Sequence, residues 1–151
     1  MDLHPFLFIF ELRRTASHLE DEVLARLADT GWPALTPNQL LVIASLDDTG
    51  TTPAELARRT DMSRQSMQKN LERLAALGLI DVGHHPSDRR SRLVGLSDKG
   101  RRFAYETWRL ADGFERRLEA AFGSEAVNIA RRVLGADLEE ILGTGQNASG
   151  R

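Results

Sequence analysis

The sequence predicts a mainly α fold, of the α+β class, in which helices surround a single two-stranded hairpin. Three observations lead to this prediction. Thr36-Pro37 and Thr52-Pro53 each give a helix-start signal. A short amphipathic segment then ends at Gly78. Two runs of alternating apolar residues follow it, as in a hairpin. This order of helix, turn, helix and hairpin is typical of a winged helix-turn-helix.

Composition excludes several classes of function. The 151 residues suffice for one domain, or for one domain with an oligomerisation extension, and they contain no cysteine. Disulfides, thiolate catalysis and cysteine zinc sites are therefore excluded. No apolar run is long enough to span a bilayer, and the run 6–10 is too short for a signal peptide, so we expect a cytoplasmic protein with no membrane partner. No enzyme motif is present, and we expect neither catalysis nor a cofactor.

The chain is predicted to be a single domain over residues 1–142 with a flexible tail at 143–151. Within it, residues 34–100 form the winged helix-turn-helix lobe, and residues 1–30 and 101–142 form a helical dimerisation region. The first helix is predicted from Pro5 to about Ala28, and Gly31 to Pro33 end it. Its first residues, 6–10, are apolar all round, which favours packing against another subunit. Its apolar stripe consists of Leu12, Ala16, Leu19, Val23 and Leu27.

The second and third helices begin with the same signal. Thr36 is predicted to cap the second helix, with Gln39 completing a capping box and an apolar face of Leu40, Ile43, Ala44 and Leu46. Thr52 and Glu55 repeat that box for a third helix through about Thr60. Backbone N–H groups of Thr51 and Thr52 are also candidates for a phosphate contact, although capping alone accounts for Thr52.

The fourth helix carries the candidate DNA-reading surface. Residues 61–63 are predicted to form a turn, and the helix runs from Arg64 to Leu77. Met67, Leu71 and Leu74 form its buried stripe, which puts Gln65 and Lys69 on the opposite side. Amides, hydroxyls and cations are the groups that contact base edges and phosphates, whereas the alternative is a merely solvated face. The predicted DNA contacts are Ser63, Arg64, Gln65, Ser66, Gln68, Lys69 and Arg73.

A hairpin and two helices complete the chain. The strands are predicted at Leu79–His84 and Arg92–Leu96, with a polar loop over 85–91 between them. Ser97 is predicted to cap a helix from Asp98 to Phe122, and Ser124 to cap a last helix from Glu125 to Leu142. The apolar stripes of the terminal helices predict a dimer interface, with packing inside one subunit as the alternative.

Charge is divided unevenly along the chain. Residues 51–102 contain eleven Lys or Arg and six Asp or Glu, a net of +5, whereas the remainder nets −7, and together they give the overall −2. Such asymmetry is expected when one region faces phosphates. The abundance of Arg is also compatible with a GC-rich genome. No metal site is predicted, because His84 and His85 are strand neighbours pointing to opposite faces, and His4 and His18 are fourteen residues apart.

The sequence resembles the MarR (multiple antibiotic resistance) family of transcriptional regulators. The resemblance rests on the segments 35–39, 55–57, 71–74 leading to 78–80, and 88–91 running to Leu96, Ser97 and Gly100. It implies a homodimer whose first, fifth and sixth helices interlock. It also implies a repressor or activator that binds pseudo-palindromic double-stranded DNA, commonly released by small aromatic or lipophilic acids.

The resemblance also assigns roles to wing and pocket residues. It implies that Arg90 enters the minor groove, that Asp88 orients its guanidinium group, and that Arg89 and Arg92 contact phosphates. A charged, solvated hairpin tip is the alternative. Two other functions were considered, a winged-helix protein-interaction module without DNA binding and a metal-responsive regulator. The residues suited to an aromatic anion near the implied effector pocket are Arg14, His18, Trp32, Trp108 and Arg109.

Overall fold

The structure is a computed structural model that describes residues 4–85 and 88–135. Six helices and one antiparallel hairpin follow one another in this part of the chain, which confirms the predicted fold class. The chain divides into two compact units, one up to Leu110 and one from Ala111 onward. The elements are α1 (His4–Asp29), α2 (Pro37–Ala44), α3 (Pro53–Arg59), α4 (Arg64–Ala76), β1 (Ile80–His85), β2 (Asp88–Leu96), α5 (Asp98–Phe122) and α6 (Ser124–Leu134).

The core of the first unit is formed by the second half of α1, α2 to α4, the base of the hairpin and the start of α5. Phe103 on α5 is fully buried, and Trp32 packs edge-to-face against it with ring centroids 5.4 Å apart. The buried apolar residues are Val23, Leu27, Leu35, Val42, Ile43, Leu56, Ala57, Met67, Leu71, Leu74, Leu79, Ile80, Val94 and Phe103.

Local chemistry sets the helix starts much as predicted. At α2, the Thr36 hydroxyl accepts from the Gln39 N–H and the Gln39 side chain accepts from the Thr36 N–H, so the capping box is confirmed. At α3 the box is only half formed. Thr52 accepts from the Glu55 N–H, but the Glu55 carboxylate binds Arg58 and Arg59 instead of reaching back. A charge-assisted pair outcompetes the neutral backbone donor.

The hairpin strands are longer than the sequence predicted. Residues 85 and 88–91 were predicted as loop but belong to the strands. Backbone pairing does not require apolar side chains, so the alternating pattern underestimates the strand length. Residues 86 and 87 lie outside the described residues. The register pairs Ile80 with Leu96 and His84 with Arg92, and it shifts between His84 and His85. Leu79, predicted to open the first strand, precedes it and is fully buried.

Several other predicted details are wrong. On α2, Val42 and Ile43 are the buried residues, whereas Ala44 is exposed. Gly123, rather than Ser124, occupies the N-cap of α6, which has no side-chain cap. This helix ends at Leu134, whereas the prediction extended it to Leu142; residues 136–151, including the predicted tail, lie outside the described residues.

The described part of the second unit contains the end of α5 and all of α6. An ion pair joins Arg131 of α6 to Glu115 of α5, and Arg117 lies over the Phe114 ring at 5.1 Å from its centroid. No residue of α6 is buried. Over the ranges 4–85 and 88–135, no helix has the length and apolar content needed to cross a bilayer.

Candidate nucleic-acid interface

The helix α4 has one apolar side in the core and one polar side in solvent. Met67, Leu71 and Leu74 are buried, as the periodicity predicted. The Ser63 hydroxyl accepts from the Ser66 N–H at 3.1 Å, which confirms the predicted cap. The opposite side is accessible to a ligand. Ser66 on that side is half-buried, and the other predicted DNA contacts of the helix are exposed: Arg64, Gln65, Gln68, Lys69 and Arg73.

The end of α4 is fixed to the start of α5. Gly78, with φ of 70°, closes α4 as the Leu79 N–H donates to the Leu74 carbonyl, a Schellman motif. The Ser97 hydroxyl donates to the Gly78 carbonyl at 2.6 Å and accepts from the Gly100 N–H at 2.9 Å. The predicted cap at Ser97 is thus confirmed, and the same hydroxyl ties the two helices together.

A lysine of α5 adds a further link to α4. The Lys99 ammonium group donates to the carbonyl oxygen of Leu77 at 2.9 Å. Cations are favourable at helix C-termini because the last carbonyls have no partner within the helix. The position of α4 is therefore determined by α5 as well as by the core.

The start of the helix-turn-helix is held by a cluster of charges that joins α3 to the end of α2. The Arg59 guanidinium group donates to both carboxylate oxygens of Asp47, at 2.8 and 2.9 Å, to Glu55 at 2.9 Å and to the Ser45 carbonyl at 3.0 Å. Hydrogen bonds from Arg58 and Arg59 lower the pKa of Glu55 to about 2. A hydrogen bond from Arg59 also lowers the pKa of Asp47.

Four cations on this side of the lobe are available to phosphates. Arg64, Lys69, Arg73 and Arg92 form no ion pair within the part of the chain that the structure describes. Arg92 of β2 lies beside α4, where together they line an open groove of about 370 Å³. The groove residues are Pro53, Gln68, Leu71, Glu72, Ala75, Val82, Gly83 and Arg92.

The backbone of the wing is described except at residues 86 and 87, whereas the side chains of residues 84–91 lie outside the described residues. Asp88, Arg89 and Arg90 lie in β2, and the proposed pairing of Asp88 with Arg90 falls outside the described residues. The suggested phosphate contact through the Thr51 N–H is wrong, because that N–H donates to the Val94 carbonyl at 2.8 Å. The hydroxyl of Thr52 is used in capping α3.

Glu72 lies on the exposed side of α4 and was not among the residues predicted to contact DNA. The Gln68 Nε2 amide donates to Glu72 Oε1 at 2.8 Å. The spacing of four residues was the available signal, since side chains at i and i+4 are neighbours on a helix.

The five candidate effector residues are not brought together. Arg14 and His18 share an open depression of about 710 Å³ whose lining residues all belong to α1. Trp32 instead packs on Phe103. Trp108 lies beside Tyr105, and Arg109 forms an ion pair with Glu106. No hydrogen bond or ion pair of the described residues joins Trp108 or Arg109 to Arg14 and His18.

Acidic and histidine side chains give no candidate metal centre in the described ranges. No three or more of the described Asp, Glu and His residues lie close enough to hold an ion. The side chains of His4, His84 and His85 lie outside the described residues.

Comparison with known sequences identifies the central lobe. Residues 35–91 match the model of the MarR family. An uncharacterized protein of Mycobacterium tuberculosis is 38% identical over 64 residues, which cover 42% of this chain and 43% of that protein. The match therefore spans less than half of that relative's length.

Comparison with solved structures extends the likeness to most of the chain. The transcriptional repressor CouR, bound to a 23-mer DNA duplex, is 29% identical with a TM-score of 0.70, covering 89% of this chain and 94% of CouR. CouR from Rhodococcus jostii RHA1 bound to p-coumaroyl-CoA has the same fold, with a TM-score of 0.69 at 22% identity over 84% of this chain and 88% of that one.

A second regulator gives the same result. A MarR family transcriptional regulator from Silicibacter pomeroyi is 25% identical with a TM-score of 0.71, covering 96% of this chain and 93% of that one. The family match at 35–91 coincides with the helix-turn-helix and the hairpin described above. Residues 35–91 therefore match the MarR family, and the chain has the fold of winged-helix transcriptional regulators of that family.

Proposed function

We propose that this protein is a homodimeric repressor that binds a pseudo-palindromic operator. In this proposal α4 enters the major groove and the wing follows the adjacent minor groove. Arg90 would reach into the minor groove, oriented by Asp88, while Arg89 and Arg92 contact phosphates. Operator binding would take place in the cytoplasm, and repression is preferred over activation because the similar protein CouR is a repressor.

The observation that carries the proposal is the composition of the exposed side of α4. Gln65, Gln68 and Lys69 are exposed there, and neighbouring cations are without ion pairs among the described residues. Elsewhere in the lobe, Arg58, Arg59 and Arg101 are neutralised within the chain. Free cations beside amides are suited to phosphates and base edges.

Exposed apolar side chains support the homodimer. On α1 they are Leu7, Phe10, Leu12 and Leu19, and in the last turns of α5 and on α6 they are Leu118, Phe122, Ile129, Val133 and Leu134. Leaving such surfaces in water is unfavourable, and a second copy of the chain would cover them. A two-fold axis would also set two α4 helices about one DNA turn apart, which explains the expectation of a pseudo-palindrome.

The salt dependence of binding tests the DNA-binding proposal. Duplexes would first be selected from random DNA, and the dissociation constant would then be measured by fluorescence anisotropy over a series of salt concentrations. The logarithm of the association constant should fall linearly with the logarithm of salt concentration, by about 0.9 per phosphate neutralised. Arg92→Ala should make the slope shallower by about 1 for each protomer.

Arg116→Ala is the matched control for that experiment. Arg116 is also an exposed arginine, but it lies in the second unit and is paired with Asp112 at 2.8 Å. Its removal should leave the slope unchanged. Failure to select any duplex, or a binding constant insensitive to salt, would reject the proposal.

We further propose that an aromatic or lipophilic anion releases the DNA. Arg14 and His18 supply a guanidinium group and an imidazole beside apolar Leu7 and Phe10 on one face of α1. A groove with a single helix as its wall would be completed by another chain. CouR, of similar fold, binds p-coumaroyl-CoA, so p-coumarate and its CoA thioester are suitable probes. Release of the selected duplex by either, with loss of release in Arg14→Gln, would support this site.

A further inference from the structure

The hydrogen bond between Gln68 and Glu72 restricts what α4 can offer to a base. Gln68 Nε2 donates to Glu72 Oε1 at 2.8 Å, and both side chains are exposed. An ionised carboxylate only accepts hydrogen bonds. The amide must therefore turn its NH₂ group toward Glu72, and its carbonyl oxygen faces away from Glu72.

A glutamine held in this way offers fewer hydrogen-bonding arrangements to a base than a free glutamine does. A free Gln can bind adenine in a bidentate manner, donating to N7 and accepting from N6. Because Glu72 engages one of the two N–H groups and fixes the orientation of the amide, Gln68 directs its acceptor, Oε1, away from Glu72. The second oxygen of Glu72, Oε2, has no hydrogen bond among the described residues and is also an acceptor. The pair thus presents two acceptors close together.

The position of Glu72 on the helix makes the pairing relevant to DNA. At about 100° per residue, Glu72 lies only about 20° around the helix axis from Gln65, well away from the buried stripe. It is the one acidic residue in the sequence of α4. A carboxylate on a surface that faces phosphates is electrostatically unfavourable. Hydrogen-bond donors on the base edges would offset that cost.

Only two bases carry such donors in the major groove. Cytosine presents its N4 amino group and adenine its N6 amino group, whereas guanine O6 and thymine O4 are acceptors. We propose that Gln68 and Glu72 act together as an acceptor pair that selects a base bearing an exocyclic amino group over guanine or thymine at that position. This inference depends on the proposed function, in which α4 enters the major groove.

Base analogues test the proposal directly. Once selection has defined the half-site, each adenine would be replaced in turn by the purine analogue without the 6-amino group, and each cytosine by 2-pyrimidinone, which lacks the 4-amino group. At one position per half-site, wild-type affinity should fall about 5- to 150-fold. The affected base, adenine or cytosine, identifies which amino group is read.

Protein variants separate this contact from weakened base pairing in the analogue duplexes. Gln68→Ala and Glu72→Ala should bind the normal duplex less selectively, and the analogue should cost them less than it costs the wild type. An equal loss in wild type and both variants would overturn the proposal. Thermal unfolding of each variant would establish that α4 is intact, since a purely structural role would change stability but not base preference.

Glu72→Gln gives a second, isosteric test. Glutamine at this position accepts or donates, so Gln68 would no longer be confined to one orientation, and guanine or thymine should become tolerated. Glu20→Gln is the control, because it removes the same charge from an exposed site on α1. It should leave base preference unchanged. Unaltered preference in Glu72→Gln would contradict the inference.

The two proposals fail in different ways. If the wild-type protein selects no duplex, the proposed function and this inference both fail. If it binds a duplex with the expected salt dependence but is indifferent to loss of every amino group, only the role of the acceptor pair is rejected.

Discussion

At the scale of the residue, Gly100 shows how tightly α5 is joined to the end of α4. A Cβ atom at this position would lie 1.8 Å from the Leu79 carbonyl oxygen and 2.9 Å from its carbonyl carbon. These are backbone atoms, which cannot rotate away as a side chain can. The absence of a side chain at Gly100 thus permits the hydrogen bonds of Ser97 and Lys99 to the end of α4.

We expect Gly100→Ala to destabilise the fold by about 1–3 kcal/mol or more, because overpacking forces the backbone to shift. Gly113→Ala is the matched control in the same helix, since nothing lies within 4 Å of its Cβ position. That substitution should stabilise the protein by up to about 1 kcal/mol through helix propensity. Urea unfolding of both variants measures the difference. Equal free energies of unfolding would contradict the packing argument.

At the scale of the element, the charge cluster around Arg59 determines how α3 sits against α2. One guanidinium group binds the Asp47 carboxylate, Glu55 and the carbonyl of Ser45. Glu55 has a pKa of about 2 in the folded protein, against an ordinary value of 4.5. A lowered folded-state pKa contributes stability above pH 4.5 that is lost as the pH falls toward 2.

We therefore expect the melting temperature to fall as pH is lowered from about 5 to 2, and to fall less steeply in Arg59→Met. The variant loses the Arg59 contact, which is the main cause of the lowered pKa of Asp47, and one of the two hydrogen-bond partners that lower the pKa of Glu55. Arg116→Met, which removes a single exposed ion pair with Asp112, serves as the control. Calorimetry at several pH values provides the measurement. Parallel profiles for wild type and Arg59→Met would show that the cluster is not coupled to folding.

Element boundaries were predictable where local chemistry decides them. The Thr36 box, the Ser63 cap and the Gly78 stop depend on residues within a few positions, and the sequence predicted all three. Contacts between distant segments were not predictable. The Thr51 N–H, 43 residues before Val94, pairs with the second strand, and no local pattern reveals that.

In the candidate site too, local features were predictable from the sequence and contacts between distant residues were not. Helical periodicity was sufficient to place Gln65 and Lys69 opposite the buried stripe. It could not show that Trp32 packs edge-to-face against Phe103, because those residues are distant in the sequence. The Gln68 to Glu72 bond was within reach of sequence reasoning, yet side-chain competition decides such pairs, as Glu55 illustrates.

At the scale of the whole molecule, the two units differ in how much they bury. The first has a core of buried apolar side chains, whereas the described part of the second has none. Helices α1 and α6 both expose leucines and other apolar residues. Propensity alone rarely stabilises a short helix such as α6 in water, so further packing is required. A second chain would supply it.

We expect the protein to be a dimer in solution and Phe122→Asp to shift it toward monomer. Phe122 is 71% exposed, so the fold of one chain does not depend on its burial. Loss of its burial between subunits should weaken dimerisation by about 1.5–3 kcal/mol, and the carboxylate should add to this. Analytical ultracentrifugation measures the dissociation constant of the dimer. Operator affinity should decline as the dimer weakens, because each monomer covers one half-site.

Leu41→Asp, at a residue of α2 that is 43% exposed, should leave the dimer intact. A Phe122→Asp protein that remains as dimeric as the wild type would remove this surface from the interface.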